Sequence, residues 1–99
     1  MQTHSITLGM NIPNAGTVTN QMWIQVLNDT VLASLEYATI TDSVGIYQGT
    51  LEKSKTISVS TADPAAVDSL LKVGDAYKKA FNQDAIMYTV TEVPILQFT

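Results

Sequence analysis

The chain has 99 residues, of which 45% are hydrophobic and 14% charged, and a formal charge of −4. That length makes one domain spanning residues 1–99, and that apolar fraction excludes a disordered chain. Cysteine and arginine are both absent and acidic residues outnumber lysines, which excludes a disulfide frame, a thiolate nucleophile and the basic footprint that a nucleic-acid polymer needs.

No basic segment followed by an apolar one opens the sequence, and no apolar run approaches the ~20 residues of a membrane span. A cytoplasmic protein without signal peptide or membrane partner is expected. The place of charge is taken by hydroxyls, with 13 Thr and 7 Ser. A surface poor in charge resists association weakly, so a homo-oligomer, a dimer or larger, is expected.

Residues 5–12 alternate: Ile6, Leu8, Met10 and Ile12 against Thr7, Gly9 and Asn11. A period of two predicts a half-buried strand. Pro13, Asn14, Ala15 and Gly16 end it as a loop. Thr19 is the expected N-cap of a helix over 20–34, because Trp23, Val26, Leu27, Thr30 and Val31 recur at helical spacing. Residues 38–48 are β-prone, and a turn at Gly49 and Thr50 leads into a strand from Leu51 to Thr61. Asp63-Pro64 reads as N-cap followed by proline at the first helical position. Val67, Leu70, Leu71, Gly74, Tyr77 and Phe81 then form one helical stripe, with Gly74 expected where the helix closely approaches the sheet. Residues 85–93 predict a last strand, and Pro94 makes Ile95 to Thr99 an edge extension or a tail.

The order βαββαβ predicts an α+β, ferredoxin-like two-layer sandwich, with a four-stranded antiparallel sheet and two helices on one face. The other face is expected to carry Thr7, Gly9, Asn11, Thr56, Ser58, Ser60, Thr89 and Thr41. Such an open face of hydroxyls can be solvated, can meet a second subunit or can hold a polar ligand.

Several anchors fall in a familiar order. They are Ile6-Thr7-Leu8-Gly9 at the first strand, Val18-Thr19 before Trp23, Asp42, Gly45 and Tyr47, then Glu52, Ser54 and Lys55, and finally Tyr77, Lys78, Phe81, Gln83 and Asp84. Over about residues 5 to 93 the chain resembles a bacterial family of small uncharacterised ferredoxin-like proteins, a domain of unknown function. The resemblance implies the fold; the family has no established activity.

The chemistry-bearing residues are sparse. His4, the single histidine, is expected ahead of the first strand, solvated and without the partners that catalysis or metal binding requires. The carboxylates are scattered, no pair is placed for acid–base work, and no phosphate loop or nucleophile elbow occurs. No catalytic residue, metal site or cofactor is therefore expected. Asp42, inside a β-prone run, marks either a bulge or a functional position. Tyr47 and Ile46 face opposite sides; Tyr47 is read as an ordinary edge-strand aromatic or, if it is the one on the open face, as a ligand platform among hydroxyls. Lys55 is read as an exposed strand-edge lysine that deters aggregation, or as a partner for an anion.

The candidate ligand or interface residues are thus Thr7, Asn11, Tyr47, Lys55, Ser58 and Thr89. The leading expectation is a non-enzymatic binding or interaction module, a homo-oligomer joined through the open sheet face. A small polar ligand or a protein partner is compatible with it. One alternative is a cofactor-independent enzyme of the dimeric ferredoxin-like barrel type, using Asn11 and Tyr47. Another is a phage-type counter-defence protein that sequesters a nucleotide signal or blocks a host protein.

Overall fold

The structure, a computed structural model, describes residues 1–94 and 97. The expected extension or tail from Ile95 onward lies outside the described residues, apart from Gln97. The elements are β1 (Gln2–Gly9), β2 (Asn11–Ile12), β3 (Gly16–Thr17), α1 (Asn20–Val26), a π-helical segment (Leu27–Val31), α2 (Leu32–Ser34), β4 (Thr39–Tyr47), β5 (Thr50–Thr61), α3 (Pro64–Ala80) and β6 (Met87–Glu92).

Four strands form one antiparallel sheet in the order β4–β5–β1–β6, with β5 and β1 in the centre. Two helical rods, the continuous run from α1 to α2 and the longer α3, lie on one face. This α+β layout is compatible with a ferredoxin-like fold. It departs from a plain βαββαβ order because β2 and β3 form a separate two-stranded ribbon between the first strand and the first helix.

The helices start where their caps place them. The Met22 amide donates to Thr19 Oγ1 at 3.2 Å, and the Ala65 amide donates to Asp63 Oδ1 at 2.9 Å, with Pro64 following. Each cap satisfies an amide that the first helical turn leaves unpaired. Within the first rod the Leu32 amide reaches back five residues to the Leu27 carbonyl. That extra residue is the π-type widening of an otherwise α-helical run.

The core is the even-numbered side of β1 and the odd-numbered side of β5 against the helices. Ile6, Leu8, Ile57 and Val59 meet Leu70, Val73 and Tyr77 of α3 and Trp23 and Val31 of the first rod, all buried. Burial of such side chains contributes about 1.5–3 kcal/mol each. Gly74 sits in this contact, where a methyl group would overlap Ile86 Cδ1. The expected close approach is therefore real, and its partner is the segment leading into β6.

Two expectations about β1 are corrected. The strand begins at Gln2 rather than Ser5, so His4 lies inside it, buried, with Nδ1 2.6 Å from the Tyr88 hydroxyl. The N-terminal segment has strand partners on both sides, which is why it is not a solvated end. At the other end, the first strand stops at Gly9. Met10 still donates to the Lys53 carbonyl at 2.9 Å, but its own carbonyl accepts from Val18 at 2.7 Å. Asn11 thereby leaves the main sheet and joins the ribbon.

Candidate functional site

The open face is a lattice of hydroxyls. The register places Thr3 beside Ser60, Ser5 beside Ser58, and Thr7 beside Thr56 across β1 and β5. It also places Ser43 beside Ser54 across β4 and β5, and Ser5 beside Thr89 across β1 and β6. Hydroxyls bond directly across the strands, at 2.7 Å for Thr3–Ser60, 2.8 Å for Ser5–Ser58, 3.2 Å for Thr7–Thr56 and 2.7 Å for Ser43–Ser54. Each such pair satisfies part of its own hydrogen-bonding capacity within the sheet. Tyr47 stands on this face at the tip of the β4–β5 hairpin, two-thirds exposed.

The opposite side of that hairpin is more varied. No helix packs substantially on β4, which is exposed along its whole length. The hairpin therefore projects as an arm whose helix-side surface carries Ile40, Val44, Ile46 and Leu51, all exposed. A groove of about 640 Å³ runs beneath it. The arm supplies Asp42, Val44, Leu51, Lys53 and Lys55 on one side, and Met10, Asn11, Thr17, Val18 and Asn20 line the other.

Lys55 crosses the floor of this groove. Its Nζ is 2.5 Å from Asp42 Oδ1 and 5.4 Å from the centre of the Trp23 ring. The charge thereby keeps a carboxylate and an aromatic face. This corrects the reading of Lys55 as an exposed edge lysine: β5 is a central strand and the side chain is only 18% exposed. Asp42 stands in regular register opposite Lys55, so no bulge occurs there. Lys53, by contrast, is exposed and has no ion-pair partner among the described residues.

A second polar junction closes the end of β1. Glu52 Oε2 accepts from the Asn11 amide at 3.1 Å, and Gln83 Nε2 donates to the Asn11 carbonyl at 2.7 Å. The Tyr77 hydroxyl donates to the Gly9 carbonyl at 2.5 Å. Burial, with the Glu52 carboxylate as a lesser cause, pushes the Tyr77 phenol up to about 12. The Glu52 carboxylate lies against Gly9, where a Cβ would stand 2.8 Å from Oε2. In the sequence Glu52 is one of several scattered acids. The available signal was Gly9, since glycine within a strand marks a close approach; Gly45, the register partner of Glu52, faces open space instead.

Of the expected site residues, Thr7, Ser58, Thr89 and Tyr47 share the open face, and Ser58 neighbours Thr39 as well as Ser5. Asn11 and Lys55 do not join them but line the groove. Asn11 and Tyr47, paired in the enzymatic expectation, are not brought together, because Tyr47 does not line the groove. Among the described residues no three His, Asp or Glu side chains gather as metal ligands would. No helix among them is long and apolar enough to cross a membrane.

The profile of a family described as protein of unknown function, DUF3574, matches residues 3–96. No curated protein matches the chain. Among solved structures, a phage SAM lyase in its apo state is 21% identical with a TM-score of 0.66, over 98% of this chain and 84% of the other. A phage SAM lyase in complex with S-methyl-5′-thioadenosine is 20% identical with a TM-score of 0.64, over 92% and 80% of the two chains. At this identity the likeness is one of fold.

Proposed function

We propose a binding function for this chain, which belongs to the DUF3574 family of proteins of unknown function: it holds a small amphiphilic ligand in the groove beneath the β4–β5 arm and acts as an assembly of identical copies. The observation that carries this reading is the lining of the groove. Met10, Val18, Val44 and Leu51 offer apolar surface, and Asn11, Asn20 and Lys53 converge on it with polar groups. Small-molecule sites combine these features in volumes of roughly 300–1,000 Å³.

The ligand class we favour is an adenine nucleoside thioether. Its base and sulfur suit the apolar lining, and its ribose hydroxyls suit the amides and Lys53. A similarly folded phage protein was solved with S-methyl-5′-thioadenosine, which supports the choice. Isothermal titration of the full chain with S-methyl-5′-thioadenosine tests it. Saturable binding is expected, weakened about tenfold, or about 1.4 kcal/mol, by Leu51→Ala or Lys53→Ala. Absence of binding sinks the ligand class, and consumption of SAM by the same sample replaces binding with catalysis.

A second reading is a phage-type counter-defence protein, favoured by the phage source of both similar structures. Genes for restriction or nucleotide-signalling defence targets in the same phage neighbourhood support it. A housekeeping neighbourhood in a bacterial chromosome removes it.

A further inference from the structure

We propose that β4 pairs edge to edge with β4 of a second copy of this chain, in antiparallel register centred on Ser43, so that two sheets become one. This gives the assembly in the proposed function a defined interface, and it rests on that part of the reading alone.

The edge is unguarded. β4 is nine residues long, regular in register, free of proline and bulges, and carries one charge, Asp42. Protein edges are ordinarily blunted by such devices, and an edge without them is a template for another strand. The other edge, β6, has six residues, ends at Glu92, and has Pro94 just beyond. Glu92 is also held 3.9 Å from the N-terminal ammonium.

The hydrogen-bond phase selects the register. Tyr47 and Thr50 flank the two-residue turn Gln48-Gly49, in which both residues have positive φ. Residues flanking such a turn form a hydrogen-bonded pair, so odd residues of β4 bond to β5 and even residues point their amides and carbonyls outward. A symmetric pair must therefore join even residues to even residues. Centring on Asp42 would oppose two carboxylates, which is unfavourable. Centring on Val44 would oppose Asp42 to Ile46, whose β5 neighbour is Leu51 and brings no cation near the carboxylate.

Centring on Ser43 avoids both. Ile40 then faces Ile46 of the second copy, and with their own register partners Ile57 and Leu51 they form an apolar row four strands wide. Asp42 faces Val44 of the second copy, whose β5 neighbour is Lys53. The cation that lacks a partner within one chain thus lies within reach of a carboxylate on the other. On the open face Ser43 meets its own equivalent, and the Ser43–Ser54 hydroxyl pair is continued across the axis. Ile40, Val44, Ile46, Tyr47 and Leu51 are between 38% and 77% exposed. Of these, Ile40, Val44 and Ile46 stand on the edge strand itself, where a second copy would cover them.

Light scattering on the full chain, with a cysteine scan of the edge, tests this. The expected mass is twice that of the chain. Ser43→Cys should link copies under oxidant, because facing residues at a non-hydrogen-bonded site have Cα atoms ~4.5 Å apart, within disulfide reach. Thr41→Cys should not, since its partner would be Gly45. Val44→Pro removes an outward amide only and should halve the mass; if that variant fails to fold, Ile46→Lys should do the same. A mass of one chain at every concentration, linkage through Thr41→Cys instead of Ser43→Cys, or a mass that climbs beyond two chains as β4 meets β6, overturns the proposal. Titration of the native chain with S-methyl-5′-thioadenosine separates the two readings: a single-chain mass with binding intact removes only this interface, and a pair without binding removes only the groove ligand.

Discussion

Gly74 of α3 and Ile86, just before β6, are packed so closely that a methyl group on Gly74 would overlap the Ile86 Cδ1 atom. The helix lies against the sheet at this point because residue 74 has no side chain. The next nearest atoms to that methyl would be Ile86 Cγ1 at 3.6 Å and Ile6 Cδ1 at 3.7 Å, both ordinary contacts.

Gly74→Ala should therefore destabilise the protein by about 1–2 kcal/mol, the overpacking cost exceeding the helix-propensity gain. In an Ile86→Val background the overlapping atom is gone, and the same change should be neutral or stabilising by up to about 1 kcal/mol. Urea unfolding of the four variants checks this. Equal effects in both backgrounds would remove Ile86 as the cause.

Tyr77 predicts a stability loss at high pH. Its phenol titrates at about 12 in the folded chain against an ordinary 10. A raised folded value means the contribution is complete below pH 10 and is lost as pH rises from 10 towards 12, by about 2 kcal/mol. Unfolding free energy followed over that window should fall more steeply for the native chain than for Tyr77→Phe. The variant should also be about 1–2 kcal/mol less stable at neutral pH, since the Gly9 carbonyl loses its donor.

His4 is buried and its bond to the partly exposed Tyr88 is the side-chain hydrogen bond it makes. Tyr88→Phe leaves His4 Nδ1 without its 2.6 Å partner, at a cost of about 1–3 kcal/mol. His4→Leu combined with Tyr88→Phe removes both polar groups and should cost less than Tyr88→Phe alone. Thermal melts at neutral pH decide it; additive losses would mean the bond contributes little.

Ser58→Lys separates two interfaces. The Ser58 hydroxyl is already 2.8 Å from that of Ser5, and a lysine there projects to solvent if the open face is uncovered. Unchanged mass by light scattering, with stability within about 0.5 kcal/mol, is then expected. A halved mass would move the copy–copy contact from the strand edge to the open face, because a charge buried there would lack a partner.

Much of the local structure was legible in the chain. Thr19 and Asp63-Pro64 announce their helices because capping depends on residues two or three apart. The β4–β5 hairpin and the hydroxylated face follow from a period of two, which fixes the side of a strand on which each residue lies. The stripe from Leu70 to Tyr77 announces the buried side of α3 for the same kind of reason, and Gly74 announces a close approach though not its partner.

Partners depend on register, and register is decided by tertiary packing. The alternation from Ile6 to Ile12 runs unbroken, so nothing local marks where the strand leaves the sheet. That point is set at Met10, whose amide bonds to Lys53 and whose carbonyl bonds to Val18. His4 is buried because residues distant in sequence, in β5 and β6, flank it. Lys55 is largely covered because β5 becomes a central strand beneath Trp23. Periodicity alone therefore determined which residues share a face of this protein; only the packing of distant segments decided which of them touch, because a two-residue repeat is the same in every register that preserves it.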